Sequence, residues 1–226
     1  MGNISENISH HLNYLTGAIQ IGDFTIPRGV YLSWAVMLVL VVLAIWFTRR
    51  MAVKPTTKRQ VVIETLVGTL YNMLYTILGE HGKRYIPYLL TVMFYLGFAN
   101  MLGLIGLAPP TKDLNVTLGL ALMSIVLVQY ASIKQRGVGG WLKSFTQPVA
   151  IVTPLNALEL LIKPLSLCMR LFGNILGAFI IMELIKMVIP AVFPLAASMY
   201  FDVFDALLQA YVFVFLTSLY IQEAIE

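Results

Sequence analysis

The sequence predicts an all-α membrane protein. It should have about five crossings, one amphipathic helix at the interface, and a last pair of long helices folded as a strongly slanted hairpin. Three observations carry that expectation. Of the 226 residues, 59% are apolar and 12% charged, against roughly 45–50% and about 25% in a typical soluble domain. The apolar residues gather into runs near the about 20 residues that a bilayer crossing needs. The basic residues cluster in one set of connecting segments. A soluble globular domain and a disordered chain are both excluded on this composition. The net charge of +4 and the pI near 9.2 come from loops between spans, so no nucleic acid is expected as a partner; the bilayer is. Cys168, the one cysteine, offers neither an internal disulfide nor a cysteine-based metal site. No cofactor is expected.

Residues 1–30 read as an outer N-terminal segment of a single membrane domain, 1–226. They hold Glu6 and Asp23 and lack a basic start followed by an apolar stretch, so they do not resemble a cleaved signal. Tyr31–Thr48 is the first span, ended by Arg49 and Arg50. Residues 59–82 differ: Val62, Leu66, Leu70, Met73 and Ile77 recur at helical spacing with Arg59, Gln60, Glu64 and Asn72 between them. That pattern suits a helix lying at the interface, and Glu64 argues against a crossing. Tyr85–Leu107 is the second span, stopped by Pro109 and Pro110. Asn115–Ser132 is the third, followed by Lys134 and Arg136. Phe201–Ile221 is the last.

Orientation follows from charge. Arg49, Arg50, Lys54, Lys58, Arg59, Lys83, Arg84, Lys134, Arg136 and Lys143 share one side, and only Arg28 and Lys112 fall on the other. Basic residues favour the inside, so the N-terminus is expected outside and the C-terminus inside. The stretch from Val149 to Tyr200 is apolar almost throughout. One helix from Asn156 to Ile189 would be about 51 Å long, far beyond the roughly 30 Å of hydrocarbon. A single slanted helix, a loop near 190–200, and a returning helix from Phe201 satisfy both length and charge. Residues 150–222 thus form the candidate ion-conducting pair.

Charged side chains inside a membrane are costly and mark ion paths or partner contacts. Here they include Glu159, Lys163, Arg170, Glu183, Lys186, Asp202 and Asp205, with Asn174 and Gln209 as embedded amides. At 100° per residue, Lys163 and Glu159 fall within about 20° of Arg170, and Asn174 within about 40°. Glu159 and Lys163, four apart, can pair, which leaves Arg170 without a partner in its own helix. Gly173 and Gly177 beside it allow a close helix approach. Asp202, Asp205 and Gln209 make a polar stripe on the last helix. Arg170 stays protonated at any accessible pH and cannot relay protons. It is a fixed charge that attracts a carboxylate and repels a passing cation.

The residues around Arg170, Leu-Ser-Leu-Cys-Met-Arg-Leu-Phe-Gly-Asn-Ile-Leu-Gly at 165–177, closely resemble the signature of subunit a of F-type ATP synthases. Asp113-Leu-Asn-Val-Thr, Lys163-Pro164 and Gln209-Ala-Tyr-Val-Phe agree in order, and the resemblance covers roughly residues 55–222. It implies a non-catalytic, ion-conducting stator subunit in a bacterial plasma membrane. Its implied partners are a rotating ring of c subunits and the peripheral-stalk b subunits. Two half-channels would carry protons or sodium ions to and from the ring carboxylates, coupling the ion gradient to ATP synthesis. Arg170 matches the family's essential arginine, Gln209 its glutamine, and Lys163 and Asn174 usual family positions. Two positions depart. Phe179 stands where some members carry Glu, with Glu183 one turn later, and Asp202 stands where some carry His. The outer lining is therefore expected from Glu183, Asp202 and Asp205. The alternative from the residues, a secondary ion-coupled transporter, should show two similar halves with broken helices, and no such repeat is visible.

Overall fold

The computed structural model describes residues 19–21, 24–49, 51, 57–105, 109–144, 153–188 and 192–225. Among the described residues six long helices carry the fold: α1 (Arg28–Thr48), α2 (Lys58–Gly82), α3 (Ile86–Met101), α4 (Leu114–Ser144), α5 (Thr153–Val188) and α6 (Val192–Ile225). Proline sets several of their starts. Pro27 caps α1, and Pro87, Pro154 and Pro194 sit in the first turns of α3, α5 and α6. There the missing N–H costs nothing, because first-turn donors have no intrahelical partner. At α4 the cap is Asp113: its carboxylate accepts the Asn115 N–H at 3.0 Å, and its carbonyl accepts from Val116 and Thr117.

Five stretches among the described residues are long and apolar enough to cross a bilayer: Arg28–Thr48, Lys58–Met101, Leu114–Trp141, Leu158–Ala178 and Val203–Ile225. The expected all-α membrane fold with five such stretches is what the chain forms. The second stretch joins α2 to α3 through a tight turn at Lys83–Tyr85. Gly79 breaks α2 just before that turn, at φ 62° and ψ −166°, a conformation that favours glycine.

Several boundaries differ from the sequence expectation. The loop expected near 190–200 is mostly helix, since α6 already begins at Val192 and a first-turn proline does not stop it. The inside segment expected at 133–148 is helical to Ser144, with a glycine break at Gly137 (φ 71°). The N-terminal segment carries a short antiparallel hairpin, β1 (Ile19–Ile21) with β2 (Phe24–Ile26), pairing Ile19 with Ile26 and Ile21 with Phe24. The sequence reading missed it. Its signal is Gly22-Asp23 between two alternating apolar–polar triplets.

α6 packs on α3, α4, α2 and α5, and α3 is its most extensive neighbour. Leu74, Ile86, Leu89, Leu96, Phe213 and Val214 fill that core and are wholly or almost wholly buried. The packed side of α2 is Val67, Leu70, Tyr71, Leu74 and Leu78. Of the stripe expected from its sequence, Val62 and Leu66 remain exposed, so α2 carries a second apolar face turned away from the core. α1 stands apart: among its residues only Val36 is buried, while Trp34, Leu38, Ile45 and Trp46 are more than half exposed. A lipid-facing helix needs no polar outer side.

At the other end of the bundle from the Lys83–Tyr85 turn, α1 is closely fitted. A Cβ added at Gly29 would lie 2.5 Å from the Asp113 Cβ. The Ser33 and Tyr95 hydroxyls, 2.5 Å apart, tie α1 to α3. Replacing Gly29 by Leu should force α1 off the Asp113 cap at a cost of about 1–3 kcal/mol, the usual range for overpacking. Thermal unfolding of the detergent-solubilised protein measures this; a midpoint equal to that of the unsubstituted chain would show that the approach is not constrained.

Candidate functional site

The site lies where α5 and α6 run antiparallel. Two cross-helix ties fix their register. The Asn174 amide donates to Gln209 Oε1 at 2.6 Å. Eleven residues earlier on α5, Lys163 Nζ lies 2.9 Å from Glu223 Oε2 on α6. Lys163 also meets Glu159 Oε2 at 3.6 Å, the pair expected from their spacing, and sits over the Tyr220 ring at 5.3 Å.

Arg170 lies between these ties along α5. It is exposed, and no hydrogen bond or ion pair engages it among the described residues. The open surface of α5 also carries apolar side chains: Leu161, Ile162, Leu165 and Met169 are each more than half exposed. Across the helix, Leu167, Cys168 and Leu171 are buried, and Cys168 Sγ lies 3.6 Å from the Thr117 hydroxyl of α4. The packed and open sides of α5 are thus well separated, and the arginine belongs to the open one. Gly173 and Gly177 extend that side. A Cβ at either would meet nothing within 4 Å among the described residues, so no described helix of this chain crowds the groove they form.

Gln209 is the opposite case. It is 2% exposed, and its Nε2 has no partner among the described residues. Its oxygen is held by Asn174 while both of its N–H donors face inward. Asp205, one turn before Gln209, is partly buried and engaged with its surroundings. The side chains of Glu183 and Asp202 lie outside those described, so the outer polar lining is not drawn in full. The sequence reading grouped Lys163 with Arg170 and Asn174, but it missed Glu223 and Tyr220 as Lys163's partners. The hairpin register held the clue: once 174 faces 209, antiparallel counting brings 163 close to 220.

These features define a multi-pass membrane protein whose closing helix pair presents a cation with no partner among the described residues, one turn from an amide pair in which Gln209 is buried. The family model described as ATP synthase A chain matches residues 30–222. The chain is 34% identical to ATP synthase subunit a of Moorella thermoacetica over 202 residues, 89% of this chain and 92% of that protein. It is 32% identical to the subunit a described as sodium ion specific from Propionigenium modestum, covering 89% of this chain and 75% of that protein. It is 34% identical to subunit a 1 of Chlorobium luteolum, covering 85% of this chain and 86% of that protein. The chain belongs to the ATP synthase A chain family.

The amide tie is open to a direct test. Asn174→Ala, Gln209→Leu and the double variant form a cycle whose coupling term should be about 0.5–1.5 kcal/mol in thermal stability, the net worth of one hydrogen bond. Strict additivity would mean that the two amides do not interact.

Proposed function

We propose that this chain is the ion-conducting stator subunit of an F-type ATP synthase and is not catalytic by itself. The observation that carries the proposal is the Arg170 guanidinium, exposed on the open side of α5 with no partner among the described residues of its own chain. Such a charge is expensive in hydrocarbon, and guanidinium cannot neutralise itself by losing a proton. It therefore calls for a carboxylate brought by another subunit. A ring of c subunits, each with one membrane carboxylate, supplies that partner, and the groove at Gly173 and Gly177 gives its helices room.

The mechanism follows from charge. A carboxylate that carries its ion is uncharged and turns through lipid; beside Arg170 its ionised form is favoured, so the ion leaves and an ion pair replaces it. The same fixed charge repels a cation moving straight from one half-channel to the other. Gln209, Asn174 and Asp205, with Glu183 and Asp202, line the route from the outer face. A proton and a sodium ion are equally served by this chemistry, because the arginine acts on the carboxylate and not on the ion. Each charge crossing yields about 2.3 kcal/mol per 100 mV, so several must combine for one ATP. The whole chain forms one membrane domain, with α2 at the interface and α5 and α6 slanted. The b subunits of the stalk complete the stator. The setting is a bacterial plasma membrane with the N-terminus outside and the C-terminus cytoplasmic.

In vesicles holding the complete ATP synthase under an imposed ion gradient, Arg170→Ala should abolish ATP synthesis while the complex remains assembled. It should also open a passive leak. Arg170→Lys should fail or nearly fail, because it loses the planar fork and can deprotonate when buried. Near-normal synthesis by Arg170→Ala would refute the mechanism. Orientation has its own check. A cysteine placed at residue 226 should react with a membrane-impermeant reagent from the cytoplasmic side only, and outside-only labelling would reverse the topology.

A further inference from the structure

We infer that Lys163 is a positioning residue: through its ion pair with Glu223 it holds the inner half of α5 against α6 and so fixes the depth and rotation of Arg170. This rests on the reading of Arg170 given above. An ammonium has three N–H donors; that of Lys163 donates to Glu223 and has a second carboxylate and an aromatic ring close by. Glu223 Oε2 lies at 2.9 Å, Glu159 Oε2 at 3.6 Å, and the Tyr220 ring at 5.3 Å. Glu223 is itself anchored, its backbone carbonyl accepting from Arg136 Nη2 of α4 at 3.5 Å. The last turn of α6 is thus held to both α4 and α5.

Lys163 and Arg170 are seven residues apart, two turns or about 10.5 Å of rise, and share a helix face to within about 20°. The second tie, Asn174 to Gln209, lies one turn beyond Arg170. A helix held at two points that bracket Arg170 can neither slide nor roll there. The inner tie is needed because Pro164 stands inside α5. It has no N–H for the carbonyl of Leu160, so the backbone ladder is weakest next to Lys163. Without the side-chain tie, α5 would be free to bend at that point and carry Arg170 with it.

The test uses complete ATP synthase in vesicles with an imposed ion gradient. Lys163→Gln and Glu223→Gln should each leave the complex assembled and slow synthesis about fivefold, the upper end for a pair this open to solvent. Lys163→Arg should stay near the unsubstituted rate. Exchange of the charges, Lys163→Glu with Glu223→Lys, should recover most of the loss; it is made with Glu159→Gln so that two carboxylates do not meet on α5. Spin labels at Leu161 and Leu219, both exposed, in a Cys168→Ala background report the α5–α6 distance directly. The distribution should broaden in Lys163→Gln and narrow again in the exchange variant. Full synthesis in Lys163→Gln overturns the inference. So does a loss that the exchange leaves uncorrected with an unchanged distance distribution, which would mean that the ammonium itself acts on the ion. Arg170→Ala run alongside separates the two proposals: if it keeps synthesis, the reading of Arg170 falls; if it is inactive while Lys163→Gln is normal, only the clamp falls.

Discussion

A guanidinium on an apolar helix face is the constraint around which the closing half of this chain is organised. It cannot be neutralised by losing a proton, and hydrocarbon makes it costly. Two responses are available: to pair it inside the chain or to keep it for a partner. Lys163 takes the first course, with Glu223 and Glu159 at hand. Arg170, seven residues further along the same helix, is exposed and meets no partner among the described residues. Two cations on one face, one satisfied internally and one open, divide α5 into a held part and a presenting part. Gln209 and Asn174 belong to the held part, since their hydrogen bond links the helices one turn beyond the open arginine.

Much of the architecture was legible in the sequence because a bilayer reduces folding to a few rules. The backbone must satisfy itself within each crossing, so apolar runs of the right length become helices. α1, α3 and α6 follow from this, as does the single long α5, which has 36 residues against the 34 counted between Asn156 and Ile189. The open Arg170 was legible too, because its helical neighbours supply no carboxylate at reach. What the sequence hid depends on two elements at once. Glu223 lies just past the expected end of the last span at Ile221, and only the antiparallel register brings it to Lys163. The start of α6 was expected at Phe201, whereas Pro194, neutral in a first turn, lets the helix begin at Val192. The buried side of α2 was missed for a related reason. Its apolar residues cover two faces, and periodicity alone does not say which of them meets the core.

Polar side chains tie the helices together at several points among the described residues. Ser33 with Tyr95, Thr117 with Cys168, and Asn174 with Gln209 each join a different pair of helices. Between them the contacts are apolar and short-ranged, with Leu89, Leu96, Phe213 and Val214 almost fully enclosed. This suits a scaffold that must stay rigid in a solvent as apolar as its own core. Lipid tails compete for dispersion contacts, so packing and interhelical hydrogen bonds set the arrangement.

The bare backbone at Gly173 and Gly177 has a mechanical meaning as well as a steric one. A surface studded with side chains resists a neighbour moving across it, because each interlocked contact must be broken and remade, and each is worth about 0.1–0.2 kcal/mol per atom pair. Where the side chains are missing and nothing lies within 4 Å of the added Cβ, the energy profile for lateral displacement is shallow. A helix passing α5 at this level would meet little corrugation and would be slowed chiefly by the charge on Arg170. The two glycines would therefore offer a passing helix a smooth surface beside the charge on Arg170.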